Sequence, residues 1–203
     1  MTRSSYHHGN LRRALVDAAV RLIEEKGAQA FALAEAARAA GVSAAAPYRH
    51  FSGREELLAE VARQGFDEFA DRLETAFDDG RPSALSAFLR MGQAYLAFAA
   101  ERRGHYMAMF ESGISITANP ALAQAADRAR GVILRAAEAL FVRIPADRRP
   151  PAGLIADHVW ALSHGVVELF GRGKPGGRSP ISPAEMLESG TLIYLRGLGV
   201  IPE

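Results

Sequence analysis

Two groups of side chains stand out for what their types and spacing can do. Ser43, Tyr48, Arg49, His50 and Arg54 fall within twelve residues, and hydroxyls, imidazole and guanidinium groups clustered this way suit contacts to phosphate oxygens and base edges. The alanines among them, Ala44, Ala45 and Ala46, offer only methyls, which suit apolar contact with the thymine C5-methyl. The second group is Trp160 and His164, four residues apart and so on one helical face, followed by Gly165. An indole with a nearby imidazole suits the wall of a cavity for a mostly apolar molecule oriented by one polar contact. A core tryptophan beside a satisfied core histidine is the plainer alternative.

Other chemistry finds little support. Without cysteine there is no disulfide, no thiolate nucleophile and no Cys-based zinc site, which suits a reducing cytoplasm. No Gly-x-Ser-x-Gly, His-Glu-x-x-His or paired Glu-x-x-His occurs. His7-His8 lacks a third ligand, and Asp157 is adjacent to His158 and so faces elsewhere. Gly171-Arg-Gly-Lys-Pro-Gly-Gly-Arg178 departs from the phosphate-loop order and is expected to be a linker. The reading is therefore not an enzyme, with no cofactor and no metal.

The elements that hold the first group can be read from spacing. Leu33, Ala36, Ala37 and Ala40 give one narrow small-residue helical face, and Gly41 stops that helix in a left-handed turn. Val42 is then a buried pivot. Ser43 is a natural N-cap for a second helix over Ala44–His50, with Pro47 near its first turn. Two short helices joined by a glycine turn, the first lined with alanine so that the second crosses it closely, make a helix-turn-helix; an ordinary helical hairpin is the alternative. Ser52-Gly-Arg-Glu55 has the form of a capping box opening a long helix. Arg54 in its first turn works against the helix dipole, which points to a phosphate contact. Ahead of all this, Asn10 is expected to cap a first helix whose Leu15 and Leu22, with Phe31 and Phe51, form the core of a three-helix head. Residues 1–9, with Arg3, Tyr6, His7 and His8, are expected to be an arm along the phosphate backbone, or simply a frayed terminus.

From about residue 8 to 62 the chain resembles the DNA-binding domain of the TetR family of transcriptional regulators: a Gly41-Val-Ser43 turn, a Tyr48-Arg-His-Phe51 helix end, and Arg54-Glu-Glu-Leu-Leu58. Ala32 and Ala44 stand where that family commonly has polar residues. The Tyr6-His-His-Gly-Asn10 opening and Trp160…His164-Gly165 resemble a subgroup with a Trp-His-Gly C-terminal domain. The resemblance implies an all-α fold: residues 1–54 as the helix-turn-helix domain, and residues 55–203 as a helical ligand-binding and dimerisation domain. It also implies a probe of palindromic double-stranded DNA, a repressor released by a small effector.

Charge distribution agrees with such a division. The net charge is only +1, yet residues 1–54 carry eight Lys/Arg against four Asp/Glu, and the remainder sixteen against nineteen. No apolar run reaches the length of a membrane span and no signal peptide is evident, so a cytoplasmic protein is expected. Beyond the head, helices are expected over Gly53–Phe77, 84–100, 105–114, 120–143, 154–171 and from Ser182 to Gly197 or Gly199. Helix 84–100 is apolar nearly all round and should lie at a centre. Phe66, Phe69, Phe88, Met91, Tyr95, Tyr106 and Phe110 form an aromatic and methionine surplus, expected with Trp160 and His164 to surround an effector. The last two helices, apolar on more than one face, are expected to pair two copies, with Gly165 and Gly190 allowing close crossing. The other-class alternative is a helical small-molecule binding protein or enzyme with a vestigial head.

Overall fold

The computed structural model describes residues 5–142, 144–171 and 180–201, with side chains from residue 11 onward. Among the described residues there are eight α-helices and no strand: α1 (Ser5–Lys26), α2 (Leu33–Ala39), α3 (Arg54–Phe77), α4 (Ala84–Glu101), α5 (Arg103–Phe110), α6 (Pro120–Leu140), α7 (Ala152–Val166) and α8 (Pro183–Gly197). Two compact units result, residues 1–68 with 102–126, and residues 69–101 with 127–203. The boundary expected after Arg54 thus falls inside the first unit. The reason is α5, whose Gly104 amide donates to the Glu24 carboxylate at 3.0 Å, and where a Cβ would lie 2.8 Å from the Val20 carbonyl oxygen.

The first unit is built on small residues. Ala36 and Ala37 of α2 are fully buried beside Leu15, Ala18, Ala19 and Ile23 of α1, and Phe31 and Phe51 close the core as expected. Gly27 and Gly41 take positive φ at the ends of α1 and α2. Three local expectations are corrected. α1 starts at Ser5, not after Asn10; Gly9 and Asn10 keep their backbone donors, so the helix extends through them. The segment after Gly41 is a single 3-10 turn (Ala46–Arg49) rather than a helix over Ala44–His50. Pro47 has no N–H to give the Ser43 carbonyl, and that carbonyl instead accepts from Ala46 at 3.0 Å. α3 opens one residue later than the expected box: the Leu57 amide bonds to Gly53, so the acid that returns to the Ser52 amide, at 2.6 Å, is Glu56 and not Glu55. The expected arm lies partly outside the described residues, as does most of the 171–178 stretch.

In the second unit α4 buries one stripe, Ala87, Phe88, Met91, Tyr95 and Phe98; Leu85, Leu89 and Leu96 are half-buried, so the helix is less enclosed than its composition implied. Phe69 lies edge-on to Tyr95 and tilted against Phe98, both at 5.1 Å between centroids. The caps follow the sequence. Ser83 accepts from the Ser86 amide, and Ser182 and Glu185 form a reciprocal box at 3.2 and 2.9 Å. At the start of α6, in the first unit, Asn119 likewise accepts from the Leu122 amide at 3.0 Å. α7 is shorter than expected, ending in a wider π turn over Val167–Gly171.

Candidate functional site

The first unit presents the predicted reading residues on an exposed strip. Ser43, Ala44, Ala45 and Arg49 are exposed, Ala46 and His50 half-buried, and Tyr48 is 63 % exposed, while Pro47 beneath them is buried. Val42 is half-buried rather than enclosed. A large aromatic left in solvent beside three methyl-bearing positions and an arginine is a surface with hydrogen-bonding and apolar reach, backed by a rigid α1–α2 support. Arg38, at the end of α2, is exposed as well; its position in the last turn of the first short helix was the available signal, and it was not singled out.

Arg54 differs from the rest. Its Nε donates to the Phe31 carbonyl at 2.8 Å, its Nη2 to the Ala28 carbonyl, and the guanidinium stacks 5.2 Å from the Phe31 ring centroid. The cation that sits badly on the α3 dipole is thus held by the carbonyls of the α1–α2 connection. These bonds give Arg54 a part in holding the head together that its sequence position did not announce.

In the same unit, the buried Glu60 carboxylate is the centre of a charged group whose arginines are partly exposed. It accepts from Arg12 at 3.0 Å, from Arg63 at 2.8 and 3.0 Å and from Gln64 at 2.7 Å. Burial alone would raise its pKa, but hydrogen bonds from Arg63, Arg12 and Gln64 outweigh that and hold it at about 2. Arg12 also lies over the Phe51 ring. The sequence reading missed this group because Arg12 lies forty-eight residues from Glu60.

The nine predicted effector residues separate into two places. Phe66, Tyr106 and Phe110 belong to the first unit, where Phe110 packs against Phe66 at 5.7 Å and Tyr106 at 4.8 Å. Phe88, Met91, Tyr95 and Trp160 line a cavity of about 30 Å³ in the second unit, together with Leu73, Gly92, Ile133, Val159 and Ser163. Phe69 is buried against Tyr95 at its edge. His164 does not line the cavity; its Nδ1 meets the Tyr95 hydroxyl at 3.3 Å and its Nε2 lies 3.9 Å from Glu168. The arrangement is an apolar hollow with one phenol at its wall, oriented by an imidazole behind it. Gly92, the one residue without a side chain in α4, was the signal in sequence for a close approach, which Leu187 of α8 makes. His158, whose lack of a carboxylate was noted, instead meets the Tyr194 hydroxyl at 2.7 Å, and Asp157 pairs with Arg130.

Large exposed apolar side chains of the second unit include Leu169, 76 % exposed, Ile193, 68 %, and Leu154, 50 %. Beside Gly165 there is open space, whereas a Cβ at Gly190 would lie 3.3 Å from Leu162 of the same chain. Among the described residues no helix is long and apolar enough to cross a membrane, and no group of three or more acidic or histidine side chains could hold a metal.

Comparison with known proteins gives matches at both ends. Residues 15–61 match the family of bacterial regulatory proteins described as tetR family, and residues 88–192 match the tetracyclin repressor-like C-terminal domain. The chain is similar to the HTH-type transcriptional regulator BetI of Rhizobium meliloti (strain 1021), 33% identical over 101 residues, 49% of this chain and 50% of that one. It is also similar to the uncharacterized HTH-type transcriptional regulator YobS of Bacillus subtilis (strain 168), 28% identical over 100 residues, 49% and 51%. These alignments span about half the length of the curated relatives. A solved protein of unknown function from Rhodococcus sp. RHA1 has a TM-score of 0.77 at 29% identity, covering 96% of this chain and 98% of that one. The TetR-like regulator LfrR of Mycobacterium smegmatis, in complex with proflavine, has a TM-score of 0.63 at 25% identity over 92% and 96%.

Proposed function

Since this chain belongs to the tetR family of bacterial regulatory proteins, we propose that it is a cytoplasmic transcriptional repressor. It binds a palindromic operator as a homodimer and leaves it when a small, largely apolar effector enters the second unit. Within the family, the Trp160, His164 and Gly165 pattern supports membership of the Trp-His-Gly subgroup. The observation that carries the reading is the solvent-facing strip Ser43–Arg49 on a head whose own interior is fully packed.

Ser43, Tyr48 and Arg49 hold phosphates and set register, Ala44, Ala45 and Ala46 make methyl contacts, and His50 adds hydrogen bonding. Arg54 keeps the strip in place. One 3-10 turn covers few base pairs, so useful specificity requires two heads on successive major grooves about 34–36 Å apart. The exposed Leu154, Leu169 and Ile193 on α7, the π turn and α8 are the surface that pairs the copies. The functional division is a reading head, 1–54, and a body, 55–203, with α3 as the covalent element common to both. A ligand that selects one setting of α3 shifts the spacing of the heads. Support for a small-molecule effector comes from the Met91, Tyr95 and Trp160 walls and from the proflavine held by the Mycobacterium smegmatis regulator. A mobility-shift titration on the DNA upstream of its own coding region tests the reading: a discrete complex abolished by excess specific duplex supports it, and only salt-sensitive smearing on every duplex opposes it.

A further inference from the structure

Within the first unit α5 meets α1 and α3 at two places where a side chain is missing. At Gly104 a Cβ would lie 2.8 Å from the Val20 carbonyl oxygen of α1; at Gly65 of α3 one would lie 3.1 Å from the His105 Cβ and 2.7 Å from the Met109 sulfur. Both approaches are at contact distance already, so α5 has no slack toward either helix. His105, half-buried, stands at this junction. Charged groups act on its imidazole from all three helices: Asp17 and Glu24 of α1, Glu68 of α3, and Arg102 just ahead of α5. The three carboxylates are engaged. Asp17 pairs with Arg13 at 3.9 Å, Glu24 accepts from the Gly104 amide at 3.0 Å, and Glu68 accepts from Arg102 at 2.8 Å. Burial is the strongest influence on His105 and lowers its pKa; Arg102 adds to it, and the three acids oppose it without reversing it.

We propose that His105 makes the seating of α5 on α1 and α3 sensitive to acid: the closed packing holds a neutral imidazole, protonation loosens it, and operator is released as pH falls. The release rests on the operator reading above, and the loosening does not. A buried cation needs water or an acid beside it. Hydrating the ring fully means moving α5 away, because the helices already touch at Gly65 and Gly104. Recruiting Glu24 or Glu68 instead takes an acceptor from the Gly104 amide or from Arg102, which loosens the same seat. The sign follows from the lowered pKa. The closed packing keeps its full advantage above the ordinary histidine value of 6.5 and loses it as pH falls from there through the packed-state value. α1 carries the Ala18 and Ala19 face on which α2 rests, so a loosened α5 leaves the reading strip less firmly held.

Hydrogen exchange of the α5 amides in the full chain, corrected for the intrinsic pH dependence of exchange, reads the loosening. One proton is taken up per opening. Opening in the wild type is therefore expected to grow by up to about tenfold per pH unit below about pH 6.5, and in His105→Gln to stay level. Equal acid dependence in the two chains, or none in the wild type, overturns the proposal. If His105→Gln does not fold, NMR titration of the wild-type His105 ring decides: a midpoint below about 6.5 supports the proposal, and one at or above it overturns the proposal. Mobility shifts across the same pH range, on DNA upstream of the protein's own coding region, read the release. Wild-type affinity is expected to fall with acid more steeply than that of His105→Gln, and parallel falls in both chains overturn the release. Acid opening of α5 in a chain that binds no duplex at any pH removes the operator reading, and the release with it, while the loosening stands.

Discussion

Arg12 meets Glu60 at two points, a hydrogen bond from Nη1 to Oε1 and an ion-pair contact of Nη2 with Oε2, each 3.0 Å, and so pins α1 to α3. Bidentate pairing of this kind sets orientation as well as energy. The Glu60 carboxylate is the common acceptor of Arg12, Arg63 and Gln64, so its loss removes all of these contacts at once.

The folded pKa of Glu60, about 2, lies below the ordinary glutamate value near 4.3. Its stabilisation is thus fully present above about pH 4.3 and is lost as pH falls from there through about 2. Glu60→Gln is expected to cost about 2 kcal/mol at neutral pH and to flatten the loss of stability across that acid window. Denaturant melts at pH 7 and pH 3 check this; wild-type stability of the variant at pH 7 would contradict it.

Arg49 and Arg54 are expected to separate in salt. Arg49→Ala should reduce the slope of log affinity against log salt by about one unit per half-site, with little change in melting temperature. Arg54→Ala removes two hydrogen bonds to carbonyls and should cost about 1–3 kcal/mol of stability, while changing the slope by much less than Arg49→Ala does. Equal slope changes in a stably folded Arg54→Ala would return Arg54 to the phosphates.

A methyl added at Gly104 meets the Val20 carbonyl oxygen at 2.8 Å, whereas one at Gly165 meets nothing within 4 Å in its own chain. Gly104→Ala is therefore expected to lower the melting temperature by several degrees. Gly165→Ala should leave the dilute monomer's melt unchanged and act only on dimer affinity. A Gly165→Ala chain that melts early at every concentration would show that the residue serves the fold of the single chain.

Ile193, 68 % exposed on α8, should tolerate Asp within the monomer. The variant is expected to sediment at 21.8 kDa where the wild type sediments at twice that mass, and to bind operator DNA at least tenfold more weakly. Retention of the dimer would move the pairing surface elsewhere.

Much of this molecule can be read from its residues because the relevant physics is local. Gly27, Gly41, Asn119 and the Ser182–Glu185 box mark helix ends by their own backbone and side-chain chemistry, and the alanine face of α2 announces close packing. What escaped the reading depended on distance or competition. The missing amide of Pro47 turned an expected helix into a 3-10 turn, and the bond from Leu57 to Gly53 moved the returning acid from Glu55 to Glu56. The partners of Arg54 lie twenty-three and twenty-six residues away. Of the aromatic surplus, composition could not tell that Phe66, Tyr106 and Phe110 pack in one unit while Phe88, Tyr95 and Trp160 line a void in the other. Glycine at 92 and serine at 163 line that void, and small side chains leave a faint trace in a sequence.

Footprinting on DNA upstream of the protein's own coding region, with the wild-type chain and Ile193→Asp side by side, bears hardest on the proposal of a paired DNA reader. The expected result is protection of two inverted half-sites about one helical turn apart by the wild type, and its loss in the variant. Protection of a single half-site by both chains at equal concentration, or no protected inverted repeat, would contradict it.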